Sequence, residues 1–149
     1  MNVVKLMKLK SLFICILVLF IVSGCNFNKY NDYKTISKYV NENYNDLYKI
    51  AKEYINGNKI EYKKEIKRIS VYKEDNTIVE FLTRGYGMAS SSKYIGFYYS
   101  ENDTPVAFQN EKFDLNKIGK NKWEWKQNGD NHGITIKIRN HWYYYEASF

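Results

Sequence analysis

Three regimes of apolar spacing follow one another along the chain. Leu12 to Val22 is an unbroken apolar run behind Lys5, Lys8 and Lys10. From residue 33 to 56 the apolar positions Ile36, Val40, Tyr44, Leu47, Ala51 and Tyr54 recur every three or four residues. That spacing predicts one amphipathic helix, with Ile50 and Ile55 widening its stripe and Lys38, Glu42, Asn45, Lys49 and Lys52 mainly opposite. Asp32 or Thr35 is placed to cap its start and Gly57 to stop it. From Ile60 onward the period falls to two. Strands are predicted over 66–73, 77–83, 93–100, 106–108, 123–125 and 133–139, with Trp142 to Glu146 as a last strand or an extension of the one before it. Turn signals separate them at Glu74-Asp75-Asn76, Asn102-Asp103-Thr104-Pro105 and Asn128-Gly129-Asp130-Asn131, and Gly85 to Ser92 reads as a flexible connection.

The first regime is about 11 residues, against the roughly 20 that a spanning helix needs. A basic start, a short apolar middle and small residues at its end are the layout of a secretory signal peptide. Val22-Ser23-Gly24-Cys25 closes it, and these four residues resemble the lipobox of bacterial lipoproteins. The resemblance implies that residues 1–24 are removed and that the Cys25 sulfur carries a diacylglyceryl group with fatty chains such as palmitate. It places the protein on the extracytoplasmic face of the cell membrane, held by its lipid. One acyl chain anchors only marginally and two hold firmly, so retention by this modification is expected to be stable. Residues 25–32 then form the lipidated cysteine and a short polar tether, which keeps the domain within about 20 Å of the bilayer. Residues 33–149 form a single domain.

Removing the signal removes three lysines, and the net charge falls from +7 to +4. A modest positive charge suits an anionic membrane or wall surface. Nucleic acid is not expected: the lysines are scattered and the arginines are only Arg68, Arg84 and Arg139. Cys15 lies within the signal and the Cys25 sulfur is taken by lipid, so no disulfide is expected in the domain.

Catalytic chemistry finds little support. His132 and His141 lie nine apart without a ligand spacing, so no metal is expected. Ser90-Ser91-Ser92 has no nucleophile elbow around it. Asp103, Glu124 and Asp130 are not spaced as an acid–base pair. Gly85 and Gly87 lack the context of a phosphate loop. No cofactor and no catalytic residue are assigned.

The aromatic residues carry more information. Tyr94 to Tyr99 and Trp142 to Tyr145 are two dense sets. Alternation sends half of each set under the helix and half to the outer face. There Tyr98, Trp123, Trp125, Trp142 and Tyr144 are candidates for an aromatic platform that stacks on sugar, grips a peptide or docks a protein. The alternative is that cross-strand aromatic pairs simply hold the sheet. Gly96 marks either a bulky neighbour lying across the strand or a bulge. Gly96-Phe-Tyr-Tyr-Ser100, Asp103, Pro105, Trp123-x-Trp125 and Trp142-Tyr-Tyr-Tyr-Glu-x-x-Phe149 are similar to small uncharacterised lipoproteins of low-GC Gram-positive bacteria. That resemblance implies location and no activity.

The expected fold is α+β: one N-terminal amphipathic helix on a curled antiparallel sheet, cystatin-like or NTF2-like. A helix lying on the membrane surface is the alternative for 33–56. The expected function is a membrane-anchored, non-catalytic binding or accessory module for a surface protein, peptide or wall glycan. Alternatives are an exclusion or immunity lipoprotein blocking a toxin, phage or conjugation channel, a small envelope hydrolase using His132 or His141, and a structural subunit of an envelope complex.

Overall fold

The computed structural model describes residues 32–62, 65–88 and 91–149. The signal segment, the Val22-Ser23-Gly24-Cys25 motif and all of the tether before Asp32 lie outside them. Among the described residues two helices, α1 (Tyr33–Glu42) and α2 (Tyr44–Ile55), precede seven strands. These are β1 (Arg68–Lys73), β2 (Thr77–Met88), β3 (Ser91–Ser100), β4 (Asn116–Gly119), β5 (Lys122–Lys126), β6 (His132–Arg139) and β7 (Trp142–Ser148). They form one open antiparallel sheet in the order β1-β2-β3-β7-β6-β5-β4. The architecture is therefore α+β. Two meanders, β1 to β3 and β4 to β7, are joined where β3 pairs with β7.

The single helix expected over 33–56 is two. Asn43 breaks it: its backbone N–H and its side-chain amide both donate to the Tyr39 carbonyl, at 3.0 and 2.8 Å. An asparagine amide competes with the helix for that acceptor, which is why the residue favours helix ends. Asp32 caps α1 by accepting from the Thr35 N–H at 2.9 Å. Gly57 ends α2 at φ +89°, with Asn58 donating to Glu53 and Gly57 to Tyr54. This pair of bonds around a left-handed glycine satisfies the last helical carbonyls.

α1 packs on β7, and α2 on β2 and β1. Ile36, Val40, Leu47 and Ala51 meet Val79, Phe81, Phe97, Tyr99, Trp142 and Tyr144 in the first core. The opposite face of the sheet has a core of its own. Ile78, Leu82, Tyr98, Trp125, Tyr143 and Tyr145 lie there beneath the β3–β4 connection, which contributes Ala107 and Phe108. The short strand expected at 106–108 is part of that connection, and ends in a turn at Phe108–Asn110. The Tyr98 hydroxyl fixes it, accepting from the Val106 N–H at 2.8 Å. β4 had no counterpart in the predicted strands. The flexible connection expected at 85–92 is largely strand: β2 runs to Met88 and β3 starts at Ser91.

Gly96 is where Tyr145 crosses its neighbour. A Cβ there would lie 2.4 Å from the Phe81 carbonyl oxygen and 2.9 Å from the Tyr145 ring. Beside this crossing Glu80 is buried at 2% exposure, facing Tyr72, Tyr145 and the Arg68 guanidinium, the last at 3.5 Å. Glu80 Oε1 and the Tyr145 hydroxyl each lack a hydrogen bond of ordinary geometry. Burial is the main cause that raises the Glu80 carboxyl above its usual value; Tyr145 and Arg68 oppose it only in part.

Two outcomes follow. Gly96→Ala is expected to lower stability by about 2–3 kcal/mol, read by urea unfolding, because backbone on the neighbouring strand must move. A carboxyl raised in the folded state gives stability that is complete below the unfolded value of 4.5 and is lost as pH rises through the folded value. Glu80→Gln is therefore expected to be more stable than the parent at neutral pH by about 1 kcal/mol. Thermal melts across pH should show that advantage vanishing toward pH ~4.

Candidate functional site

The five aromatic residues expected on a platform do not form one. Tyr98, Trp125, Trp142 and Tyr144 are 2, 1, 0 and 0% exposed, and Trp123 is half-buried. Tyr98, Trp123 and Trp125 point to the face roofed by the β3–β4 connection, while Trp142 and Tyr144 point under the helices. The Trp125 indole lies flush on Gly133, where a Cβ would come within 2.5 Å of it. Tyr98 stacks on Tyr143 across the β3–β7 pair, with centroids 5.2 Å apart and planes at 9°. These rings hold the sheet.

The histidines do not meet either. His132 opens β6 and His141 follows its end, roughly 25 Å apart at the rise of a strand. His132 is exposed, with Nδ1 2.6 Å from the Asp130 carbonyl. Asp103 is occupied: Lys137 binds one oxygen at 2.7 Å, and the His141 N–H and Tyr143 hydroxyl bind the other at 2.7 and 3.0 Å. Burial alone would raise the Asp103 carboxyl; these bonds outweigh it and hold the group below its usual range. Glu124 is paired with Lys126. Among the described residues no three His, Cys, Asp or Glu side chains gather to hold a metal. Three clefts of about 200, 380 and 510 Å³ have no histidine in their walls.

A different cluster lies where the helix junction meets the β6–β7 turn. Tyr44, Tyr48 and Lys52 repeat every four residues on α2 and so share one face. The Tyr44 and Tyr48 rings stack at 6.3 Å, and Tyr48 meets Tyr99 edge-on at 5.8 Å. His141 stacks on the other side of this group, 5.6 Å from Tyr99, with its Nδ1 3.0 Å from the Ser100 carbonyl. The Arg139 guanidinium lies 3.7 Å over the Tyr44 ring. Lys52 sits 6.0 and 5.8 Å from the Tyr48 and Tyr99 centroids and pairs with Glu101 at 3.1 Å, a bond that raises the Lys52 ammonium above its usual value.

A bulge builds this arrangement. Lys137 pairs with Tyr143, yet Arg139 pairs with Trp142, with a register shift between them. Lys137 thus reaches Asp103 on the roofed side, whereas Arg139 turns to the helix side and meets Tyr44. Bulges redirect side chains in this way. The result is a semi-exposed surface of tyrosine, arginine and histidine on rigid elements. Tyr48 is 40% exposed and Arg139 is exposed. A ring-backed guanidinium keeps its N–H edge free for a carboxylate or carbonyl. It combines large aromatic area, few rotatable bonds and an arginine, residue types in which protein interfaces are enriched. The helical spacing of Tyr44, Tyr48 and Lys52 was legible in the sequence, but Arg139 and His141 join them only through the sheet.

No family model, curated protein or solved structure matches the chain. Among the described residues no helix is long and apolar enough to cross a membrane.

Asp103 offers a stability test of this end of the molecule. A carboxyl depressed in the folded state contributes stability above its unfolded value and loses it as pH falls through the folded value. Asp103→Asn is expected to cost about 1–2 kcal/mol at neutral pH in urea titrations. The gap to the parent should close as the pH falls below the usual carboxylate range and through the lowered folded value.

Proposed function

We propose that the chain is a lipid-anchored, extracytoplasmic binding or accessory module. Its partner is a surface protein or peptide that docks on Tyr44, Tyr48, His141 and Arg139. The single observation that carries this reading is the Arg139 guanidinium stacked 3.7 Å over Tyr44 within a semi-exposed aromatic cluster. Anchoring through Cys25, on the Val22-Ser23-Gly24 motif, rests on the sequence resemblance. Helices laid on one face of a strand meander support the finer reading of a curled, cystatin-like or NTF2-like layering, although here the other face is roofed as well. A non-catalytic role is favoured over a wall hydrolase because His132 and His141 occupy opposite ends of β6.

The position of the cluster fits an accessory role. α1 runs about 15 Å from its start beside the tether to its junction with α2. The docking surface therefore lies at the opposite end of α1 from Tyr33, where the described chain begins, which leaves it open to a neighbour in the same membrane.

Cross-linking in intact cells, read by mass spectrometry, tests the proposal. The parent should capture a discrete partner, and Cys25→Ser should lose it by losing the membrane. Tyr48→Ala with Arg139→Glu should cut capture by at least about tenfold while abundance and lipidation stay unchanged. Undiminished capture by that double variant overturns the docking surface.

A further inference from the structure

We propose that the β4–β5 hairpin is a second membrane contact, an edge of the sheet that takes the anionic headgroups of the bilayer. The inference deepens the reading of a membrane-anchored protein and rests on it. Residues 116–122 carry Lys117, Lys120 and Lys122 and no carboxylate. All seven residues are exposed. Among the described residues no ion pair engages the three lysines; Lys117 rests 5.9 Å over the Trp123 ring. Elsewhere in this region lysines do find carboxylates, as Lys112 does with Asp75 and Lys126 with Glu124. The hairpin is thus a locally unneutralised basic edge, which complements an anionic surface.

Its one apolar side chain points the same way. The β4–β5 register shifts between Lys117 and Gly119, leaving Ile118 as the unpaired residue of a bulge. Ile118 is 46% exposed, more than any other aliphatic side chain in the described residues. A bulge that presents an isoleucine between lysines at a sheet edge matches the interfacial pattern of an apolar tip among cationic flanks. The mount is firm, since the Lys137 N–H donates to the Asn121 carbonyl at 2.9 Å.

The register places this edge in one row with the start of α1. Tyr33, at the start of α1, meets Tyr144 edge-on at 5.7 Å. Tyr144 pairs with Ile136, Ile136 with Lys122, and Lys122 with Gly119. These residues form one row across the sheet, so the hairpin lies about 15 Å sideways from the start of the domain. A tether reaching about 20 Å lets both meet one bilayer. Ile134, Ile136 and Ile138, half-buried on the helix side of β6, lie between them.

Residue-resolved lysine acetylation of the full chain, in vesicles of phosphatidylcholine alone or mixed with phosphatidylglycerol, tests this. Lys117, Lys120 and Lys122 should react about fivefold more slowly in the anionic vesicles. Lys67, exposed next to the opposite edge strand, should not change. High salt and Ile118→Asp should each restore the hairpin rates. Equal hairpin rates in both vesicles overturn the proposal. The same spectra report whether Cys25 carries acyl chains. A bare Cys25 with equal rates sinks the lipid anchor on which the hairpin contact rests, whereas an acylated Cys25 with equal rates sinks the hairpin contact alone.

Discussion

The pairing of β3 with β7 is the constraint on which the rest of the molecule depends. It joins two meanders that are each local in sequence, and it is buried on both faces. Every residue from Tyr98 to Ser100 and from Trp142 to Tyr145 must therefore suit an interior. Phenylalanine would meet the apolar requirement alone, yet tyrosine dominates. Three hydroxyls account for part of that choice, since each reaches past the sheet to a polar group that would otherwise be stranded, whereas the Tyr145 hydroxyl has no hydrogen bond of ordinary geometry. Tyr98 holds the backbone of Val106, Tyr143 holds Asp103, and Tyr144 donates to Glu146. The rings supply the core and the hydroxyls position the chain that roofs it.

This double burial also explains what the sequence could and could not convey. Period-two spacing located most strands, because a one-residue slip would exchange faces. It located β6 most clearly, where Ile134, Ile136 and Ile138 mark one face. β4 escaped because Asn116-Lys117-Ile118-Gly119 has no inward side to alternate with. The aromatic platform failed for a related reason. Alternation tells which residues share a face of β3 or β7, but not whether a third segment covers it. The roof is made by Ala107, Phe108 and half-buried Val106 and Phe113, a stretch whose pattern follows no regular period. The helix break was hidden as well: the apolar stripe continues through Asn43, and only the amide's bonds to Tyr39 reveal the interruption.

Gly96 shows a legible signal with a specific physical outcome. A glycine inside an aromatic strand announces a close approach. The structure supplies the approaching group, Tyr145, and adds the buried Glu80 beside it. A carboxyl in that place carries a desolvation cost that Arg68, half exposed and 3.5 Å away, offsets only in part. The β1–β2–β7 region thus trades stability for a polar group whose charge depends on pH.

The two candidate surfaces have a common origin in the backbone. Regular pairing would send Arg139 to the side of Lys137 and would give Ile118 a partner. In each case a bulge intervenes, and a bulge gives up ladder hydrogen bonds. Packing alone does not account for that loss. Ile118 gains little burial from its bulge, and Arg139 gains a ring to lie on while its charge stays in solvent. A bulge that merely ended a strand would be expected to hide an apolar residue or leave a polar one. Here one exposes an isoleucine among lysines, and the other brings an arginine onto a tyrosine. Of the three departures from regular pairing, the one between Leu82 and Arg84 lies within β2, and the other two build the surfaces proposed for a partner and for the bilayer, with the strand β6 fixing the distance between them.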